Sequence, residues 1–376
     1  MHILKIDGNS PYRSLIGVGG LGTGLFFALE GDHTLGRNES RPAQLLDVRD
    51  YCKLHIVIHY VAKLLGAQPT GFPFHVVPVG KVGADQQGQH VLKEMQNVGI
   101  DTKLVQIEKD KPTLLSVCFQ YPNGSGGNVT ASNSAAALLC ERDLGEAGKF
   151  LKMHGANTIA LSVPEVSLAV RREFLKLASD AGAFRAASFV EAEIAAAREL
   201  GMFEMLDLLA LNQSEAEALT GCRLSQPSLD EFVKRCRSLA EGVYPNLKIV
   251  VTAGKGGAYA FAKDCYNFCP APVVPVVSTA GAGDALLGGV LSALATGLPF
   301  LQRGRVRQGA RDVPIMTALD FGVLLASYKV SSPETIHPLA SLDTLLKFGR
   351  ESGLAFSPDL TQRVVASPGS VVVSST

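Results

Sequence analysis

From residue 150 onward the chain alternates short apolar runs with amphipathic stretches, and this alternation constrains the fold more than any other feature. Runs of strand length occupy Thr158–Val163, Leu206–Leu211 and Leu247–Thr252. Segments with helical patterning lie between them at Ser167–Gly182, Glu191–Gly201 and Ser228–Glu241. A strand that reaches the next strand through a helix crosses over a face of the sheet, so the pattern predicts an α/β protein with a mostly parallel sheet covered on both faces. In such sheets ligands bind beyond the carboxyl ends of the strands, and chemistry is to be sought in the polar residues just past each run.

The first 150 residues read differently. Phe74–Gly80 has the pattern of a strand and Asp85–Gly99 that of a helix; two β-like runs follow, Lys103–Glu108 and Thr113–Tyr121, with a glycine-rich tip at Asn123–Asn128. Strands with no helix between them predict a small sheet projecting as a lid. One large domain over 1–360, its lid drawn from within about 1–130, accommodates the length of 376 residues. The small, polar end, ASPGSVVVSST from Ala366, predicts a disordered tail over 361–376.

Thirty-five basic and 35 acidic residues cancel, which excludes recognition of nucleic acid or an anionic membrane through bulk charge. The N-terminus lacks an apolar signal core, and the uncharged stretch Ala285–Gln302 is interrupted by glycines and Pro299, so a cytoplasmic protein without a membrane span is expected. The seven cysteines are scattered; only Cys265 and Cys269 are close, and no second Cys/His pair near them completes a zinc site.

The sharpest motif is Ser278-Thr-Ala-Gly-Ala-Gly-Asp284, followed at once by the apolar, helix-like Ala285–Thr296. Glycines at 281 and 283 allow a tight turn in which several N–H groups point into one volume at a helix start, where unpaired donors and the helix dipole favour an anion. A carboxylate there repels a phosphate but is well suited to take a proton from an attacking hydroxyl, which nominates Asp284 as a general base. From spacing alone, a dipole-stabilised Asp beside turn glycines fits equally well. Asn212-Gln-Ser-Glu215 directly follows a strand-like run. It suits Mg²⁺ held through water, and it equally fits a helix capping box. Thr252-Ala-Gly-Lys-Gly-Gly257 follows another strand and reads as a glycine loop that a nucleotide can approach.

In this order and spacing the three motifs resemble the PfkB/ribokinase family of carbohydrate and nucleoside kinases. The resemblance extends upstream to Val79–Asp101 (VGKVGADQQGQHVLKEMQNVGID) and Pro112-Thr113, and covers Val76 to Pro338. It implies a ribokinase-like three-layer αβα fold with a small β lid, and transfer of the γ-phosphoryl of ATP to an alcohol group of a sugar-like molecule. Asp284 would be the base, with Gly281, Ala282 and Gly283 as the anion hole. Asn212 and Glu215 would organise Mg²⁺ through water, Thr252, Gly254, Gly257 and Thr279 would line the ATP site, and a homodimer is compatible with the family.

The chain also departs from the family. Ser278 stands where an Asp usually helps hold a monovalent cation, which puts dependence on such a cation in doubt. The sugar-binding Gly-Gly-x-x-x-Asn is replaced by Cys52-Lys-Leu-His-Ile-Val57, and Gly17–Phe26 offers only Thr23 in place of an early Asp. The polar stretch Gly36–Arg41, with Arg37, Asn38, Glu39 and Arg41, is a candidate acceptor-binding segment, followed by His55 and His59 one helical turn apart. Two rival readings remain: a catalytically weak nucleotide or sugar sensor, and an NAD(P)-dependent oxidoreductase using Gly17-Val-Gly-Gly-Leu-Gly22, with Glu39 as its ribose-binding acid.

Overall fold

The computed structural model describes residues 1–123, 126–224, 229–263, 265–302, 309, 311 and 313–367. Its strands are β1 His2–Leu4, β2 Ser14–Val18, β3 Gly22–Leu29, β4 Ala43–Tyr51, β5 His75–Gly83, β6 Val105–Glu108, β7 Leu114–Gln120 and β8 Gly126–Thr130, then β9 Thr158–Ser162, β10 Phe184–Ser188, β11 Leu208–Leu211, β12 Lys248–Thr252, β13 Gly257–Ala262, β14 Cys265–Pro270 and β15 Val364–Ala366. The helices are α1 Lys53–Leu65, α2 Gln86–Asn97, α3 Gly145–His154, α4 Leu168–Asp180, α5 Ile194–Glu199, α6 Gln213–Thr220, α7 Leu229–Ser238, α8 Ala282–Ala295, α9 Ala318–Lys329, α10 Leu342–Glu351 and α11 Pro358–Gln362.

Nine strands form the central sheet in the order β14-β13-β12-β11-β10-β9-β2-β5-β6. Every pairing from β12 through β6 is parallel, and only the β12–β13 and β13–β14 pairings at one edge are antiparallel, so that β13 alone is reversed. The central strands β2, β5, β9 and β11 are buried at every position, as expected for a sheet covered on both faces. The largest core packs α1 and α8–α10 against one side of the sheet. A second core lies around α5–α7 near β10–β13, and a third beneath α3 and α4. This is the ribokinase-like αβα architecture.

The small sheet has four strands in the order β4-β3-β7-β8. Its make-up corrects one expectation: Lys103–Glu108 does not belong to it, because β6 pairs in parallel with β5 at the edge of the main sheet. Lys81 on β5 ties that edge down, 2.9 Å from Glu108 and 3.1 Å from Asp143. The lid draws instead on residues 22–51, an antiparallel pair whose outer strand β4 is exposed over much of its length. The expected disordered tail is also corrected in part. Residues 358–362 form α11, and β15 pairs antiparallel with β1. Residues 368–376 lie outside the described residues, as do Gly124 and Ser125 of the expected glycine-rich tip. Among the described residues no helix is long and apolar enough to cross a membrane.

Candidate active site

The carboxyl ends of the parallel strands open onto a cavity of about 690 Å³. Its walls carry Asn212 and Glu215 from β11 and α6, Thr252, Gly254 and Gly257 from the β12–β13 turn, and Thr279, Ala282, Gly283 and Asp284 from the start of α8. The three motifs therefore converge although they are scattered over more than 70 residues of sequence. Ala271, Pro272, Val273, Val274 and Val276 add an apolar wall.

The geometry at α8 follows from one glycine. Gly281 is the N-cap residue, with φ 74°, a left-handed conformation that favours glycine. A Cβ there would stand 2.6 Å from the Thr335 carbonyl oxygen, so space as well as φ demands glycine. Among the described residues the amide N–H groups of Gly281 and Gly283 meet no protein acceptor, while the Ala282 N–H, expected beside them, donates to the Thr279 carbonyl at 3.1 Å. With the Asp284 N–H, which likewise meets no protein acceptor, the helix presents three free donors at its positive end. Asp284, in the first turn, has its carboxyl raised above the ordinary value by burial, opposed by the nearby Lys53 ammonium and raised further by Asp50. Lys53 Nζ lies 3.9 Å from Asp284 Oδ1.

Asn212 and Glu215 form a capping box: Asn212 Oδ1 accepts from the Glu215 N–H at 2.9 Å, and Glu215 Oε2 accepts from the Asn212 N–H at 2.7 Å. The box fixes the first turn of α6, and burial raises the Glu215 carboxyl. Glu215 keeps its second carboxylate oxygen for the waters of a hydrated Mg²⁺, whereas the single side-chain oxygen of Asn212 already accepts from the Glu215 N–H and, at 2.9 Å, from Ser214 Oγ. Among the described residues no cluster of three or more His, Cys, Asp or Glu side chains forms a metal cage. Gly254 adopts φ 54°, and Gly257 has a structural task as well, since a Cβ there would meet the Cys269 carbonyl oxygen at 2.0 Å.

The Gly36–Arg41 segment is not part of this site. Arg37, Asn38, Glu39 and Arg41 lie on the loop between β3 and β4, at the opposite end of those strands from Gly24 and Asp50. The rise of about 3.3 Å per strand residue carries the loop away from the cavity. Glu39 is spent within the loop, accepting from the Gly36 N–H at 2.7 Å and from Arg41 Nε at 2.6 Å, and lying 3.0 Å from His33 Nε2. A second, open groove of about 310 Å³ lies at the base of the small sheet instead, lined by Thr23, Gly24, Arg49, Asp50, Tyr51, Gln86, Gln87 and His90. His55 and His59 face one another inside α1, with ring centroids 5.7 Å apart, and both are held neutral by burial.

Four charged residues of this region escaped the sequence reading: Lys53, Asp50, Glu165 and Lys329. Asp50 is buried at the end of β4; its carboxyl is raised by burial and restrained by the Cys118 thiol, which donates to Oδ2 at 3.4 Å, while the Tyr51 N–H beside it donates to Thr335 Oγ1 at 3.1 Å. Glu165, three residues past the end of β9, has φ 76°, and burial lifts its carboxyl to about 7. Its position after a strand's carboxyl end was the available signal.

Gly17–Gly22 does not bind a dinucleotide in the expected way. β2 leads into β3 of the small sheet rather than into a helix, so no helix N-terminus faces the turn. Gly17 serves packing, since a Cβ there would lie 2.7 Å from Leu54 Cδ1.

Free amides at a helix start, a carboxylate beside them and a glycine-lined cleft at the strand ends are the arrangement that the resemblance to the kinases implies. Residues 58–342 match the pfkB family carbohydrate kinase model. The chain belongs to the pfkB family of carbohydrate kinases. It is 25% identical over 270 residues to probable fructokinase-6, chloroplastic, of Arabidopsis thaliana, covering 69% of this chain and 68% of that protein. To 2-dehydro-3-deoxygluconokinase of Bacillus subtilis (strain 168) it is 27% identical over 319 residues, covering 77% and 93%. A ribokinase from Cryptococcus neoformans var. grubii serotype A, solved in complex with ADP, superimposes with a TM-score of 0.69 at 21% identity, covering 89% of this chain and 99% of that one. An Arabidopsis thaliana ribokinase complexed with ribose and ATP gives 0.66 at 18%, covering 90% and 98%.

Proposed function

We propose that this protein transfers the γ-phosphoryl group of ATP to an alcohol group of a sugar or sugar-like molecule, with Asp284 as the general base. The observation that carries the reading is the placement of the Asp284 carboxylate one turn into α8, beside three N–H donors with no protein acceptor, at the wall of the large cavity. The acceptor O–H bond breaks as its proton passes to Asp284, the acceptor oxygen forms a new O–P bond to the γ-phosphorus, and the bond from that phosphorus to the β–γ bridging oxygen breaks, its electron pair leaving on ADP. The amides of Gly281 and Gly283 stabilise the charge on the phosphoryl oxygens as it shifts. Asn212 and Glu215 would hold Mg²⁺ through water, and the ion would neutralise the phosphates and orient the nucleotide. Thr252, Gly254, Gly257 and Thr279 would line the ATP site, with the apolar wall at 271–276 against the base.

The acceptor belongs in the groove at the base of the small sheet, between Thr23, Arg49, Asp50, Tyr51, Gln86 and His90. Asp50 links the groove to the base: it raises the Asp284 carboxyl by its own charge. Polar side chains that donate and accept suit a polyhydroxylated acceptor.

The test is ADP release from Mg·ATP across sugars, sugar acids, polyols and nucleosides, with Asp284→Asn alongside. The variant is expected to bind ATP and fold normally while turning over at least about a hundredfold more slowly, as for loss of a general base. A validated acceptor turned over by the variant at the wild-type rate would refute the role of Asp284. ATP binding without acceptor-dependent ADP release would favour the sensor reading.

A further inference from the structure

Lys329, the last residue of α9, is fully buried, and its ammonium points into the underside of the anion-hole loop. Nζ donates to the carbonyl oxygen of Ser278 at 3.0 Å and lies 3.4 Å from that of Ser332. The two carbonyls belong to different segments, the loop entering α8 and the loop leaving α9. The same segments are tied again where the Val277 N–H donates to the Val330 carbonyl at 2.7 Å. No carboxylate forms an ion pair with this ammonium within 4 Å among the described residues; Asp50 at the end of β4 and Asp284 in α8 act on it at longer range. A buried ammonium is costly unless something requires it. Here it sits below the turn that carries the free amides and between the two acids of the site.

We infer that the Lys329 ammonium is the built-in counter-cation of the phosphoryl-transfer site: it fixes the Ser278 carbonyl, so holding the anion-hole turn, and leaves no vacancy for a free monovalent cation. Lys329 is thus a positioning residue, since it acts through the Ser278 loop and touches no reacting atom. An ammonium and a hydrated-radius-stripped K⁺ or NH₄⁺ are interchangeable in charge and in their demand for carbonyl oxygens, so removing the side chain creates a cation site that the native protein does not have. The inference rests on the phosphotransferase reading for its kinetic consequence, but not for its binding consequence. Burial pulls the ammonium down to about 8, opposed by Asp50 and Asp284, and His337 is the other titratable group facing it. The native rate should therefore decline as pH rises through about 8.

The experiment compares the full-length wild type with Lys329→Ala in buffers whose only monovalent cation is K⁺, NH₄⁺ or tetramethylammonium. Wild-type turnover is expected to agree within about twofold in all three, and its melting temperature to be indifferent to the cation. The variant should lose at least about tenfold in tetramethylammonium, recover with K⁺ or NH₄⁺, melt higher with those ions, and lose the alkaline fall because K⁺ does not titrate. Strong activation of the wild type by K⁺ overturns the inference, and this arm needs no variant to fold. A folded variant that stays fully active in tetramethylammonium, or that neither K⁺ nor NH₄⁺ stabilises, overturns it too. The melting shifts are read without an acceptor, so a silent acceptor panel sinks the kinase reading while these shifts still decide this one.

Discussion

Lys53→Met is the most direct test of the electrostatics around the base. The ammonium stands 3.9 Å from Asp284 Oδ1, and the two side chains are 24% and 18% exposed. At an effective dielectric constant of about 20, opposite charges at this separation attract by about 4 kcal/mol, equivalent to about three pH units on the partner. Water in the open cavity reduces this, so a shift of about one to three units is expected. Its sign is fixed: burial already raises the Asp284 carboxyl, Lys53 is the leading opposing influence, and removing it raises the carboxyl further. A general base works only when ionised, so the acidic limb of kcat/KM must move upward by the same amount. Met keeps the length of the stem and removes the charge. The assay is kcat/KM against pH by coupled ADP release, wild type beside variant, with the melting temperature as a check of folding. An acidic limb that stays in place in a folded variant would refute the view that Lys53 keeps Asp284 ionised.

Two further outcomes follow from the same geometry. Gly281→Ala forces a side chain into φ 74° with its Cβ 2.6 Å from the Thr335 carbonyl; backbone strain alone costs about 1–3 kcal/mol. A lower melting temperature together with a collapse of turnover is expected, and a fully active, equally stable variant would show that the turn is not held as described. His59 is held at about 3 by burial against an ordinary value of 6.5, so the folded state refuses a proton that the unfolded chain accepts. Stability is therefore intact above about pH 6.5 and drains as pH falls toward 3, and in His59→Gln the slope of stability against pH should shrink by up to about 1.4 kcal/mol per unit. Denaturant unfolding at pH 5, 6 and 7 measures it, and identical slopes would refute the assignment.

The sheet and the three motifs that line the large cavity were legible because their signals are local. Thr158–Val163 and Leu247–Thr252 became β9 and β12 within a residue, and Gly281–Asp284, Asn212–Glu215 and Thr252–Gly257 each sit at a strand or helix end, where position alone brings them to one cavity. The lid was misassigned in part because Val105–Glu108 and Leu114–Gln120 carry the same β pattern, and only long-range pairing sends the first to β5 and the second to β3. Glu39 and its arginines drew attention by their density of charge, yet that density reflects an exposed loop whose charges satisfy one another. Lys53, Asp50, Glu165 and Lys329 were missed for the converse reason: each is a single charge in an apolar or ordinary context, and they come from four separate elements.

On the proposed function, those four residues should decide which acceptors the site tolerates. Asp50 and Asp284 raise the Glu165 carboxyl, Asp50 raises that of Asp284, and the Lys53 and Lys329 ammoniums oppose them. A further anion entering next to Asp284 would raise its carboxyl again and work against the base. Neutral sugars and polyols should therefore outperform sugar acids in kcat/KM, unless Arg49 and His90 at the open groove hold an acid group clear of the base. Asp50→Asn separates the two cases. It removes one negative charge while keeping a side chain of the same size, in the space that Gly24 leaves beside the carboxylate. With a neutral acceptor, loss of the carboxylate as a hydrogen-bond acceptor should raise the acceptor KM by about tenfold or more and leave the ATP KM unchanged. Charge-assisted hydrogen bonds of this kind contribute about 1.5–3 kcal/mol. With an acidic acceptor held by Arg49, the same substitution should improve kcat/KM by relieving repulsion. An acceptor KM that moves in neither direction would place the acceptor outside the groove at the base of the small sheet.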